Sequence, residues 1–294
     1  VTAQSLYSLA INTNVIKGLT APPSLQRRQT RRRSASSGAL HHTAGFIIRT
    51  APRIDVSSRA LGQILALLNG SLEAPMLALD GTNGAVAIAP QLAAAQPGWM
   101  AGTTGTQWQL ARGEVYATRI AWSHGDPDAV VDLSIFGVSS DGSADPVAES
   151  HATAAPAHGQ DDEAWTLTAC TLNGVALTPE SLTISIDARA ENTAQDCYTA
   201  GLIHPVVVTK AGVAGPIMIT AEIETLLVQA TLGTGPLVCT FTQRAQGGLL
   251  TGTTKVLTLN GGMIGDEGLG GQPLARRISY EARHDGTNRP LTIV

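Results

Sequence analysis

The chain has 294 residues, 19 Lys and Arg against 23 Asp and Glu, a formal net charge of -4 and a hydrophobic share of 43%. Charged residues make up 14%, against roughly 25% in an ordinary globular protein; this leaves a Gly-rich β-protein with polar uncharged loops, or a subunit covered largely by copies of itself. No uninterrupted apolar stretch approaches the ~18 residues of a membrane helix, and no charged-then-apolar leader is present, so neither membrane insertion nor secretion is expected.

Taken in chain order, the first feature is charge. No acid precedes Asp55, whereas Lys17, Arg27, Arg28, Arg31, Arg32, Arg33, Arg49 and Arg53 all fall before it. Such a stretch suits a transit peptide or a capsid arm that neutralises nucleic acid. Leu25 to Ser34 aligns, however, with Leu182 to Glu191, which alternates as a strand does. The arginines are therefore expected on both faces of a folded strand, meeting acidic surface on a neighbouring copy. Phe46-Ile47-Ile48 and Pro52 to Val56 read as short strands. Ser57-Ser58 caps a predicted helix whose Leu61, Ile64, Leu65 and Leu68 recur at helical spacing, with Asn69-Gly70 as its stop. Glu73 to Gly105 carries no recognisable pattern.

Further along, Asp126, Asp128 and Asp132 have the look of a calcium loop, but Pro127 and the strand that follows favour a solvated turn. Val130 to Ser139 and Ala275 to His284 are strand candidates, each leading into an Asp-Gly turn. Asn-Gly turns are expected at Leu172-Asn173-Gly174-Val175 and at Leu259-Asn260-Gly261-Gly262. Pro205 to Val208 is an apolar, strand-like run. Thr220 to Gln229 offers Ile223, Leu226 and Leu227 at helical spacing but is rich in β-formers, so helix and strand both stay open. Gly265 to Gly271 is glycine-rich without dinucleotide spacing and reads as a mobile loop.

Catalytic motifs are near misses. Gly248 to Lys255 resembles a phosphate loop, yet its lysine stands three places after Gly252 where the motif needs it next. The seven histidines show no ligand spacing, and no Gly-x-Ser-x-Gly elbow occurs. Cys170, Cys197 and Cys239 form no Cys-x-x-Cys pair and are expected as small buried hydrophobes in a reducing cytoplasm. With aromatics at 4%, Trp99, Trp108 and Trp122 suit a buried core better than a sugar-binding platform. The expectation is a protein that is not an enzyme and uses no metal or cofactor.

The chain also reads as one domain written twice. His42-Thr43-Ala44-Gly45-Phe46-Ile47 recurs as Tyr198-Thr199-Ala200-Gly201-Leu202-Ile203, and Asp141-Gly142-Ser143-Ala144-Asp145-Pro146-Val147 as Asp285-Gly286-Thr287-Asn288-Arg289-Pro290-Leu291. Both matches run in the same order. The predicted fold is mainly β: two tandem duplicated β-sandwich or barrel-forming domains, residues 1–155 and 156–294, each with about one short α-helix.

This pattern of alternating strands, a loop closing on Thr-Ala-Gly, a Val/Ile-rich strand and a terminal Asp-Gly-Thr-x-x-Pro-Leu resembles the tail tube proteins of long-tailed bacteriophages. The likeness is clearest from Trp165 to Glu224 and from Leu274 to Val294. It implies a structural virion protein, made in the host bacterial cytoplasm and located in the viral tail, that conducts double-stranded DNA during genome ejection without sequence-specific binding. Such subunits form six-fold rings whose inner strands join into a β-barrel, which removes exposed strand edges. A chain with two such domains would make a pseudo-six-fold ring as a homo-trimer, and the rings would stack on one another and on other tail proteins. The candidate assembly residues are Leu25, Arg27, Arg28, Arg31, Arg32 and Arg33 in the first half and Leu182, Ile184, Ile186 and Arg189 in the second. Asp266 and Glu267 join them, with Gln160-Asp161-Asp162-Glu163 as a second acidic contact loop. The Arg cluster departs from the family, whose lumens are acidic or neutral. The alternative is an icosahedral capsid or capsid-decoration protein whose basic N-terminus touches the genome.

Overall fold

Alternation of buried and exposed side chains governs most of the chain, and the computed structural model assembles the alternating segments into three antiparallel sheets. The structure describes residues 8–34, 44–68, 76–90, 104–154, 163–187, 190–209, 218–226, 234–245, 247–270, 275–284 and 286–294.

The first five-stranded sheet contains β1 (Ser8–Ile11), β2 (Asn14–Val15), β6 (Ala85–Pro90), β7 (Thr104–Leu110) and β10 (Val147–Ala154), in the order β10-β7-β6-β1-β2. The second contains β11 (Ala164–Leu172), β12 (Val175–Leu177), β15 (Leu237–Arg244), β16 (Leu250–Leu259) and β19 (Leu291–Ile293), in the order β12-β11-β15-β16-β19. The third and largest sheet has nine strands. Its first-half members are β3 (Ser24–Ser34), β4 (Ala44–Ser58), β5 (Met76–Ala78), β8 (Gly113–Ser123) and β9 (Val130–Gly137). Its second-half members are β13 (Pro179–Asp187), β14 (Met218–Leu226), β17 (Met263–Gly270) and β18 (Ala275–Ala282). The order is β17-β18-β14-β13-β8-β9-β4-β3, with β5 beside β8 off that path.

Local chemistry explains the turns. Asn12 and Thr13 (φ 45° and 72°) join β1 to β2, and Asn173 with Gly174 (φ 50° and 77°) joins β11 to β12. Two consecutive residues at positive φ are what a type I′ hairpin needs. Gly142 (φ 87°) and Gly286 (φ 93°) sit in the loops after β9 and β18, as the two Asp-Gly pairs imply.

Helix α1 (Leu61–Leu67) turns Leu61, Ile64 and Leu65 into the core. Its N-cap is Ala60, not a serine; Ser58 Oγ instead accepts the Ala60 amide at 3.0 Å. Gly62 fits because the Trp165 ring lies against it, where an added Cβ would come within 2.3 Å of the indole. This is the one α-helix among the described residues; the second half offers a 3-10 turn, Gln195–Cys197. The expected helix stop Asn69-Gly70 lies outside the described residues.

Strand pairing decides several other segments, some of them against expectation. Thr220 to Leu226 belongs to β14, where Ile219, Ala221, Ile223 and Thr225 are buried in strict alternation. The Pro205 to Val208 run is not a strand; only Pro205 bridges, to Tyr198. Gly265 to Gly270 is not a loop but most of β17: Gly265 bulges out of register, and Asp266 to Gly270 pair residue by residue with β18. The phosphate-loop look-alike is the tip and first part of β16, with no helix to receive a phosphate. Ala44-Gly45 opens β4 while Ala200-Gly201 lies in a turn, so the Thr-Ala-Gly anchors occupy different local structure. Trp122 is buried, with its indole N–H donating to Pro127 O at 3.0 Å and within 3.2 Å of Thr166 Oγ1, and Trp108 packs partly buried against the core. Trp99 lies outside the described residues.

The core is one cluster running from Leu9 to Leu291, not two separate ones. Two aligned rows of it cross the large sheet: Leu25 opposes Ile54, which opposes Ile135, and Leu182 opposes Ile223, which opposes Ile278. The halves are joined where β13 pairs with β8, from Ser181↔Ser123 to Ser185↔Arg119. Asp128 reinforces the join by pairing with Arg59 from the first half and Arg244 from the second.

Candidate assembly interface

Among the described residues the large sheet ends in two strands with one neighbour each: β3 pairs with β4 and β17 with β18. Edge strands carry a row of unshared N–H and C=O groups and invite another chain unless blocked. Arg27, Arg28, Arg31 and Arg32 all lie on β3 and are exposed. Arg33 is placed in the same strand; its side chain lies outside the described residues. Asp266 and Glu267 are placed in β17, opposite Ser279 and Ile278 of β18; their side chains lie outside the described residues. One free edge of the sheet is thus basic in sequence and the other contains two acids.

Within the chain the basic strand is only partly engaged. The Arg27 guanidinium reaches Asp145 at 3.5 Å and Glu149 at 3.3 Å, with all three side chains about 40% exposed, where such pairs contribute little. Arg28 Nε donates to Gln26 Oε1 at 3.1 Å, and Arg31 donates twice to Gln29 Oε1. These same-strand contacts hold the guanidinium groups in the solvent beside the edge. The β3–β4 ribbon also extends beyond the part of β4 that pairs with β9, and there Phe46, Ile47 and Ile48 stand 57%, 41% and 42% exposed.

The other candidates fall elsewhere. Leu182, Ile184 and Ile186 are buried, facing the core from β13, a strand already paired on both sides. They hold the subunit together rather than line its surface. β3 and β13 are not partners in the chain; each begins a four-strand block of the sheet. Arg189, Gln160, Asp161 and Asp162 lie outside the described residues. Glu163 is turned inward, its carboxylate accepting the Gln63 amide at 3.1 Å and the Trp165 indole N–H at 3.0 Å. Asp126 and Asp128 pair with Arg59, and Asp132 accepts from Ser57 at 2.6 Å and faces Arg119 at 3.7 Å. No group of acids, cysteines and histidines suited to a metal occurs among the described residues.

The exposed face of the large sheet is polar and largely self-neutralised. Arg53 meets Asp55 at 2.5 Å, Arg119 meets Asp132 at 3.7 Å and Arg277 meets Glu224 at 3.5 Å, separated by Ser181, Thr183 and Ser185. Residues 190–209 run from the second half onto β4 and β9, a docking that neither the Tyr198 to Ile203 match nor the apolar run at Pro205 to Val208 signalled. The buried Asn192 amide donates to Pro52 O at 3.2 Å and Gly137 O at 3.0 Å, and Thr50 N donates to Ile203 O at 2.8 Å. The Tyr198 hydroxyl lies 2.7 Å from Thr50 O and 2.8 Å from Asn192 O, and burial pushes its pKa up.

All three cysteines are free and buried. Cys170 and Cys239 face each other across β11 and β15 with their sulfurs 4.0 Å apart; that contact and burial hold the Cys239 thiol well above its usual range. Among the described residues no helix is long and apolar enough to cross a membrane. No protein-family model matches the chain, and no curated protein sequence matches it.

Proposed function

We propose that the chain is a tandem duplication and serves as a tail tube subunit of a long-tailed bacteriophage, three copies closing a pseudo-six-fold ring around the DNA channel. The observation that carries this reading is strand order. In the first half β2-β1-β6-β7-β10 form one sheet and β3-β4-β9-β8 a block of the other; in the second, β12-β11-β15-β16-β19 and β13-β14-β18-β17 follow the same order, strand for strand along the chain. Helix α1 and β5 are then an insertion in the first unit.

Details of bonding support the same equivalence. The amide after each opening strand, Asn12 and Asn173, donates to the carbonyl just before β6 and β15, Gly84 O at 2.7 Å and Pro236 O at 3.0 Å. The Leu25–Ile54–Ile135 and Leu182–Ile223–Ile278 rows correspond. The two units are related by translation along the large sheet, since β13 of one lies beside β8 of the other, so further copies extend it in the same sense until it closes.

Three copies of the eight-strand path, at about 4.8 Å per strand and a tilt of about 40°, give a backbone barrel roughly 48 Å across, and inner side chains of about 5 Å leave a bore wider than a DNA duplex. The ion-paired, hydroxyl-rich face of that sheet suits a wall along which a polyanion slides without binding. Phe46, Ile47 and Ile48 on the extended ribbon are surface that stacked rings would cover.

Negative-stain microscopy of the purified protein, with sedimentation analysis, tests the reading. Rings of three chains or tubes built from them support it. Closed spherical shells with co-purifying nucleic acid would favour a capsid role, and dispersed monomers at high concentration would remove it.

A further inference from the structure

The strand order leaves one question that the ring itself does not answer: which edge meets which, and in what register. We propose that β3 of one copy pairs antiparallel with β17 of the next, basic strand against acid-bearing strand, in the relation that β13 and β8 hold inside the chain; this rests on the ring reading above.

The register follows from pairs already made. In the inner junction Ser185 opposes Arg119. Ser185 stands three residues after Leu182 in its apolar row, as Arg28 stands three after Leu25. Arg119 opposes Asp132, three residues before Ile135, as Gly270 opposes Ala275, three before Ile278. Carrying the inner pair across therefore sets Arg28 of one copy opposite Gly270 of the next. Inside the chain the β13–β8 pairing ends at Ser185 and β5 takes the edge of β8 beyond it, whereas β17 has no such strand beside it among the described residues; counting antiparallel onward, Thr30 meets Gly268, Arg31 meets Glu267 and Arg32 meets Asp266.

Three observations favour this partner. Among the described residues both strands have one open side, so the outward-facing backbone groups along the contact gain mates. Opposite charges fall on facing positions, whereas β3 against β3 or β17 against β17 sets like charges together, which costs energy in a sheet. A head-to-tail joint of unlike edges also closes into a ring, which a two-fold joint of like edges cannot do.

The test uses engineered disulfides, made readable because the three native cysteines are buried. Thr30 is exposed, and Gly268 has nothing within 4 Å of an added Cβ, so T30C and G268C leave the fold intact. Facing strand positions lie within disulfide reach. Under mild oxidation the T30C/G268C double variant is expected to give covalent multimers ending at a closed ring, and a mixture of the two single variants only linked pairs. T30C alone stays unlinked, as does T30C with M263C, which is off register. In parallel, R31E/R32E is expected to lose assembly and D266R/E267R added to it to regain it. Rings that form without T30C/G268C links, links in T30C alone, or no rescue by the charge exchange would each overturn the pairing while leaving the tube reading in place. Absence of any ring from the unmodified chain would remove both.

Discussion

Replacing Asn192 is the sharpest probe of how the two halves are locked. Its side chain is 2% exposed and gives both amide hydrogens to backbone carbonyls of the other half, Pro52 O at 3.2 Å and Gly137 O at 3.0 Å. Asn192→Ala leaves two buried carbonyls without that donor, each costing about 1–3 kcal/mol less whatever relaxation recovers, so a loss of about 2–4 kcal/mol is expected. For a chain of this size that lowers Tm by about 3–7 °C. Asn192→Asp keeps the shape but turns a carboxylate oxygen toward the carbonyls, so it should be less stable than the alanine variant at neutral pH. It should recover partly in acid, where a protonated carboxyl donates once. Urea denaturation of the three proteins, followed by tryptophan fluorescence, checks the order. An aspartate variant as stable as the alanine one at pH 7, or an alanine variant within about 0.5 kcal/mol of the parent, would refute the idea that this amide clamps residues 190–209 to β4 and β9.

Other outcomes follow from the same geometry. Gly113→Ala should abolish soluble expression, since at φ 141° its Cβ would lie 1.8 Å from Phe136 O, whereas Gly252→Ala, with open space around it at φ 84°, should cost only about 1–2 kcal/mol in a denaturation assay. Tyr280→Phe removes a buried hydroxyl placed 2.5 Å from Gly235 O and 3.1 Å from Leu259 O, and should lower stability by about 1–2 kcal/mol. The Asp80 carboxylate is held down to about 2 chiefly by the Gly84 amide, with Asn83 and Thr82 adding to it. Because the folded value is depressed, that turn is supported above the ordinary carboxylate range and released as pH falls from about 4 toward 2; hydrogen-exchange protection at Thr82 to Gly84, relative to the unstructured rate at each pH, should fall across that window. Alkylation of the folded protein at pH 8 should leave Cys170, Cys197 and Cys239 unmodified until urea is added.

What the sequence disclosed depended on whether a signal was local. The Asn173-Gly174 hairpin, the α1 stripe and the Val130 to Ser139 and Ala275 to His284 strands were legible because turn chemistry and periodicity act over a few residues. β17 was not, since Gly265, Gly268 and Gly270 erase the side-chain alternation and only pairing with β18 makes it a strand. Thr220 to Leu226 carried both periods, and burial between β13 and β18 decided for strand. At the candidate interface, the sequence singled out the basic β3 and the two acids but not that they occupy opposite ends of one sheet. Leu182, Ile184 and Ile186 were misplaced at the surface because alternation fixes which residues share a face, not whether a neighbouring strand already covers the edge.

The central claim is that the two halves are equivalent units of one continuous wall. A strand-resolving cryo-microscopy reconstruction of assembled material tests it most directly. Three chains around the axis, each filling two successive positions with β3 beside the neighbour's β17, is the predicted result. A wall built from one half alone, with the other lying outside it, would contradict the account.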